Sequence, residues 1–340
     1  MFKDFSLFFK KYSEDIFIDG EPNKGYWSNL SKKENIELIK DLNHNTTKEI
    51  VKKKKPIIFD MIFSEQRAIG LELLKIKGNE NLIDLGCMWG ALSIPASKQV
   101  KSVLGVDQTM ESLIFSNQRA KEENLRNIKF LNADIRKVNL PNIFDIAIIN
   151  GVLEWIPETQ EVDLTNYFKN SINKRKRKSD SPIKMQKAFL KKTYNCLNDN
   201  GKLYLAIENR YDYKYFIGVR DPHSQTYFST IFPKKFVNFY FKIFKNKEYK
   251  TWIYSFRKTK EIIESLGFKD VKVYSSWPDY HFPEQIFEYG HMDNNFKLPK
   301  IRRDGKIKFK LLVKRFFELF LFKIFKLDFF APAIIIVAKK

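Results

Sequence analysis

Cysteine is nearly missing from these 340 residues, with Cys87 and Cys196 the only two. That excludes a disulfide framework and points to a reducing, cytoplasmic compartment. Long apolar runs are missing too. No stretch approaches about twenty uncharged apolar residues, so no membrane span is expected. The opening MFKDFSLFFKK lacks an apolar region of secretory length. Histidine is scarce, and His44, His223, His281 and His291 show no metal-ligand spacing with a cysteine or carboxylate. No metal site is expected. The pattern GxGxxG is absent, which weighs against a nicotinamide-dependent dehydrogenase.

Acidic residues are in deficit. Lysine and arginine number 61 against 40 aspartates and glutamates, a net charge of +21. Such an excess fits an anionic partner, whether nucleic acid, a phospholipid surface or a phosphorylated substrate. A drift of composition toward Lys, Asn, Ile and Phe gives the same excess with no partner at all. The cations cluster twice. Lys52 to Lys55 precede Pro56 and read as a solvated face. Lys174 to Lys178, KRKRK, sit in an insertion over 158–183 and read either as a solvated loop or as a phosphate-binding lip.

The chain is organised around Asn81 to Gly90, NLIDLGCMWG. Leu82, Ile83 and Leu85 form an apolar run too short for a helix, hence a buried strand. Gly86 and Gly90 then free the backbone before ALSIPAS resumes as a helix. A strand breaking on glycines into a helix opens the crevice that α/β sheets offer to nucleotide-like ligands. Asp84, ahead of the glycines, favours a ligand with a cationic end over a pyrophosphate.

This acid-x-Gly-x-x-x-Gly stretch resembles motif I of the class I S-adenosylmethionine-dependent methyltransferases. The resemblance implies that Asp84 meets the ammonium of S-adenosylmethionine and that Gly86 and Gly90 line its site. One position departs from the pattern, since Met88 stands where a middle glycine is usual. The implied fold is α/β: a Rossmann-like, seven-stranded, mostly parallel sheet with an antiparallel last strand, an N-terminal helical extension and cap insertions. Residues 1–55 form the extension. Residues 56–340 form the methyltransferase domain, with insertions at about 158–183, 225–255 and 284–330.

Later segments fit that frame. KSVLGVD is a second strand ending at Asp107, 23 residues beyond Asp84, a spacing that suits an acid accepting from both hydroxyls of a ribose. Asp107 also reads as a cap on the helix TMESLIFSNQRAKEENL. Gln108 joins it in the cofactor set. NIKFLNAD ends at Asp134, where the resemblance implies contact with the adenine amino group and a backbone contact from Ile135. FDIAIIN ends at Asn150. Asp107, Asp134 and Asn150 thus stop successive strands at the edge where open α/β sheets bind ligands.

Upstream, Ser31 and Glu34 make a capping pair for a helix reaching about Leu42. FDMIFSEQRAIGLELLK, from Phe59 to Lys75, predicts one helix packed ahead of the first strand. Its Arg67 reads as a surface side chain or as a partner for an amino acid carboxylate. Strand five, KLYLAIEN, carries Glu208 at its end.

The loop YDYKYFIGVRDPHSQTY then holds Asp221 and His223. Asn209-Arg210, Tyr215-Phe216-Ile217-Gly218, Asp221-Pro222-His223 and the later WPDYHFP resemble methyltransferases of bacterial surface-glycan gene clusters. The implied activity is O-methylation of a sugar in a surface glycan or lipid-linked precursor. His223 is the first candidate base, with an ordinary pKa near neutrality, and Glu208 the second. His223 as a plain loop residue is the alternative.

Finally, Val313, Phe316, Phe317, Phe320, Ile324 and Leu327 share one face of a helix within 306–330. That face either packs on the domain or lies on an anionic membrane, making the protein peripheral to the inner membrane face. Two other functions compete. An RNA methyltransferase would use the basic charge, although no separate RNA-binding module is visible. A non-catalytic scaffold would follow if Met88 narrowed the crevice.

Overall fold

The computed structural model describes residues 5–20, 27–28, 30–158, 162–163, 181–292, 296–298 and 309–340. The KRKRK run and nearly all of the 158–183 insertion lie outside the described residues.

Twelve strands are described: β1 (Lys10–Lys11), β2 (Ile16–Ile18), β3 (Trp27–Ser28), β4 (Asn81–Leu85), β5 (Ser102–Asp107), β6 (Ile128–Asn132), β7 (Phe144–Asn150), β8 (Val162–Asp163), β9 (Leu197–Glu208), β10 (Lys269–Trp277), β11 (Gln285–Glu288) and β12 (Ala333–Lys339). Ten form one sheet, in the order β1-β2-β6-β5-β4-β7-β9-β12-β10-β11. Its middle holds the seven expected strands. β6, β5, β4, β7 and β9 run parallel. β12 enters antiparallel between β9 and β10. Among these seven strands only the last, β12, runs against the others, as expected.

Alternation explains how the sheet holds together. Side chains on successive strand residues point to opposite faces. Leu82, Val103, Ile146 and Ile148 feed one apolar core. Their neighbours Ile83, Leu104, Ala147 and Ile149 feed the other. Burial on both faces is why these strands read as unbroken apolar runs.

Three elements differ from expectation. The N-terminal extension is not purely helical, because β1 and β2 form a hairpin whose second strand pairs in parallel with β6. Its helical part does occur, in Lys32–Lys40 and Thr47–Lys54, each opened by a capping box. These helices bury Leu38, Ile50 and Val51 against Trp89 and Phe115. Glu122 accepts from the backbone and hydroxyl of Thr47 and ties the extension to the helix Met110–Glu122.

Second, the single helix expected over 59–75 is a short helix, Phe59–Phe63, followed by a 3-10 stretch, Glu65–Leu74. Gly70 presses so closely on β9 that a Cβ there would lie 2.2 Å from the Tyr204 hydroxyl. Contact with the sheet, not periodicity, sets this path.

Third, the terminal helix Phe309–Glu318 passes into a π-helical turn, Leu319–Ile324. That turn shifts the register and drives Phe322 inward against Trp277, with ring centroids 4.2 Å apart. Of the expected packing face, Phe316, Phe320, Ile324 and Leu327 remain exposed. Among the described residues, no helix is long and apolar enough to cross a membrane.

Candidate active site

The carboxyl edge of β4 is shaped by glycines. Gly86 has φ 85°, and a Cβ there would lie 2.6 Å from Val152. Gly86 and Cys87 both donate to the Val106 carbonyl, which holds the turn against β5. Met88 adopts φ 45°, the left-handed region that side chains disfavour. Its side chain packs partly against the N-terminal helices. The crevice beside it stays open, with a cavity of about 380 Å³.

That cavity is lined by Asp84, Gly86, Met88, Asp107, Gln108, Asp134, Ile135 and Asn150. Nearly the whole expected cofactor set therefore shares one space. Gly90 is the exception. It stays out of the lining, and its role is in the turn, where its N–H donates to the Cys87 carbonyl at φ 72°.

Asp84 is buried and accepts from Ser93 Oγ at 2.5 Å. Burial pushes its carboxyl up to about 6. Asp107 is buried too. Its Oδ1 accepts from Thr109 N at 2.8 Å and its Oδ2 from Met88 N at 2.9 Å. Burial pushes it up to about 6 against those bonds. Asp107 is not the cap of the next helix, whose N-cap is Thr109; it accepts from the Thr109 N–H just ahead of that helix and still faces the cavity. Each carboxylate oxygen can accept a second bond, so a diol remains within its capacity.

Asp134 lines the cavity and is also held within the chain. Both of its oxygens bind the Arg136 guanidinium, at 2.8 and 2.7 Å. β6 already ends at Asn132, and Asp134 begins a turn. Ile135 and Ala133 line the same part of the cavity.

Arg67 is half-buried and not a plain surface side chain. It lines the cavity near Asp84, with Nε and Nη1 buried and without a hydrogen-bond partner. Burial lowers its pKa. An orphaned guanidinium beside a glycine cradle fits a ligand that carries a carboxylate. The adjoining acid and glycine turn fit the ammonium and body of the same ligand. The donor set suits S-adenosylmethionine.

The same cavity also gathers a titratable cluster. Asp221 Oδ1 lies 2.9 Å from His223 Nδ1, and Ser224 and Ser229 donate to its other oxygen. His223 Nε2 then stands 3.5 Å from Glu208 Oε2 and 3.7 Å from Glu154 Oε1. Tyr280 donates to Glu208 Oε1 at 3.1 Å. Glu154 is 1% exposed, and neither of its oxygens accepts a hydrogen bond. Burial opposes charge on His223, but Glu208 and Asp221 outweigh it and hold the imidazole well above its usual range. Burial pushes Glu208 up to about 7.

The donor atoms of Glu154, Glu208 and His223 lie within 4.8 Å of one another, close enough to share one cation. No such spacing exists in the sequence. Folding brings the three together. Glu154 carried one faint signal beforehand, as an acid inside the apolar text GVLEW. Tyr280 and His281, stacked with centroids 4.1 Å apart, close the cavity from WPDYHFP.

Residues 76–212 match a protein family described as a methyltransferase domain. A 23S rRNA (uracil(1939)-C(5))-methyltransferase RlmD of Psychromonas ingrahamii is 30% identical over 70 residues, 21% of this chain and 16% of that protein. An (S)-coclaurine N-methyltransferase of Thalictrum flavum is 28% identical over 85 residues, 24% of each. The chain thus spans about a sixth to a quarter of these relatives' length. Among solved structures, phosphoethanolamine N-methyltransferase 2 of Haemonchus contortus in complex with S-adenosyl-L-methionine is 13% identical with a TM-score of 0.46. It covers 89% of this chain and 60% of that one.

Proposed function

We propose a substrate class and a mechanism for what is, over residues 76–212, an S-adenosylmethionine-dependent methyltransferase domain: O-methylation of a hydroxyl, on a sugar of a surface glycan or its lipid-linked precursor. The observation that carries it is the Asp221–His223–Glu208 array, whose His223 and Glu208 line the same cavity as the glycine turn. A hydroxyl is a weak nucleophile until its proton has somewhere to go. The sugar rests on the resemblance of the loop and of WPDYHFP to glycan-cluster enzymes.

Asp84, Asp107, Ile135 and Arg67 would hold the cofactor, whose sulfonium supplies an electrophilic methyl when bound. The chain's own residues do the rest. Asp221 fixes the imidazole through Nδ1 and turns Nε2 toward Glu208 and Glu154. Glu208 and His223 act as one proton-holding pair that takes the hydroxyl proton as the new C–O bond forms. Glu208, pushed up to about 7, is better matched to a neutral pH than a histidine held far above it. Alignment of the two reactants in one cavity supplies much of the remaining acceleration.

Calorimetry with S-adenosylmethionine and S-adenosylhomocysteine, against Asp107→Ala, tests the cofactor half. Transfer of labelled methyl to nucleotide sugars, lipid-linked saccharides and purified RNA tests the acceptor half. Label on a saccharide supports the proposal. Label on RNA alone replaces it with nucleic-acid methylation, the activity named for the ribosomal RNA relatives. No cofactor binding at millimolar ligand leaves the scaffold reading.

A further inference from the structure

Apolar exposure on this protein is concentrated. Among the described residues, seventeen of the twenty-two exposed large apolar side chains fall within 216–244 and 316–329. Each stretch contains an amphipathic helix. In Lys234–Phe244, Val237 and Phe241 face inward onto Tyr249. Phe236, Phe239, Ile243 and Phe244 point the other way, each keeping more than half of its surface in water. In 309–325 the π-turn sends Phe322 inward and leaves Phe316, Phe320, Ile324 and Phe325 outside.

The two helices are joined by one seam of contacts. Arg210 donates to the carbonyls of Thr230, Ile231 and Phe232, just ahead of the first helix. Its guanidinium lies over Tyr211, 5.1 Å from the ring centroid. Tyr211 stacks on Phe329, just after the second helix, with centroids 5.0 Å apart. Arg210 and Tyr211 follow directly on Glu208 and Asn209. The seam that joins the two helices therefore begins two residues from Glu208, which lines the cavity.

We propose that these two helices form one surface that inserts its aromatic and aliphatic side chains into the interface of an anionic lipid bilayer. Charge selects that occupant. Residues 232–250 and 309–330 carry eleven lysines and arginines against three carboxylates. Lys235, Lys242, Lys245 and Lys326 are exposed beside the apolar side chains. The cores of protein–protein interfaces are depleted in lysine, whereas helices lying on membranes combine phenylalanine and leucine with lysine. Ile243, Leu319 and Ile324 offer nothing to a nucleobase, so single-stranded RNA fits less well. The surface stands on its own geometry. It also deepens the proposed function, because a lipid-linked acceptor held there would present its sugar to Glu208 and His223.

Sedimentation of the full chain with vesicles of phosphatidylcholine, alone or mixed with phosphatidylglycerol, tests this. Binding to the anionic vesicles is expected, falling as salt rises. Phe239→Asp with Phe244→Asp, and separately Phe316→Asp with Phe325→Asp, should each weaken it by about tenfold or more. S-adenosylmethionine binding by the same variants should stay unchanged, which certifies their fold and separates this inference from the cofactor site. Failure of the wild-type chain to sediment overturns the proposal. So does binding that neither pair of substitutions alters, or a loss of self-association or of oligouridylate binding in place of vesicle binding.

Discussion

The backbone N–H of Met88 donates to Oδ2 of Asp107 at 2.9 Å. The residue that departs from the glycine pattern thus fixes the carboxylate that the pattern's neighbour supplies. Its φ of 45° shows why glycine is usual there. Relief of left-handed strain, worth roughly 1–2 kcal/mol, offsets the packing and chain stiffness that Met88→Gly removes. Met88→Gly should therefore change stability by less than about 1 kcal/mol and leave S-adenosylmethionine binding intact. Met88→Val, β-branched at a positive φ, should cost about 1–2 kcal/mol. Denaturant midpoints and calorimetry check both. A wild type that is inert, with Met88→Gly gaining affinity, would return the scaffold reading.

Arg67 predicts opposite signs for stability and binding. Its buried Nε and Nη1 lack hydrogen-bond partners, so the ligand-free protein bears two unsatisfied donors, although Asp279 and Asp84 favour the charge. Arg67→Met should raise the melting temperature of the ligand-free chain. The same substitution should weaken S-adenosylmethionine by about tenfold to a hundredfold, the size of a lost charge-assisted hydrogen bond. A scan without ligand and a titration with it separate the two effects.

Asp84 and Asp107 tie cofactor affinity to pH. Burial raises both to about 6 from an ordinary value near 3.8. A carboxyl with a raised folded pKa binds its proton more tightly when folded. Its stabilising effect is therefore full below the unfolded pKa and lost as pH climbs through the folded one. The ligand-free chain should lose stability between about pH 4 and pH 6 from these two groups. Binding of an ammonium-bearing ligand requires the ionised Asp84. Affinity for S-adenosylmethionine should rise between pH 5 and pH 7, with the rise reduced in Asp84→Asn. Isothermal titration across that range reads it directly.

Glu208 should set the pH profile of methyl transfer. The pair Glu208–His223 keeps a proton that isolated groups would have lost, so activity should climb with pH until that proton leaves. Glu208→Gln removes the charge that raises His223 most and lets its pKa fall. The profile should shift toward acid while the maximal rate drops by about a hundredfold or more, the scale of a lost general base. An unshifted profile would detach Glu208 from the pair. Chelation of divalent ions should leave the rate unchanged, since this proton transfer needs no cation. A rate restored only by added metal would turn the same three donors into ligands.

Much of the fold was legible because its signals are local. NLIDLG, KSVLGVD and FDIAIIN are short apolar runs closed by polar stops, and buried parallel strands impose that pattern on any sequence that forms them. Asp84, Asp107 and Asn150 could be placed in one cavity before any coordinates, because consecutive parallel strands end at one edge. The last strand, β12, lies antiparallel between β9 and β10, as the resemblance implies.

What the tertiary structure alone decided concerns side chains far apart in sequence and the direction in which they face. Glu154, Glu208 and His223 come from three segments and carry no mutual spacing, so only packing joins them. Arg67 reads as an ordinary cation in a helical pattern until Gly70 presses that stretch against Tyr204 and the guanidinium turns into the cavity. Periodicity found an apolar face in the terminal helix. It could not say which face meets the core, because a π-turn re-registers the helix by packing Phe322 on Trp277. Sequence fixes which residues are apolar at a given period. Which of them are covered is settled by the surfaces that the rest of the chain leaves open to them.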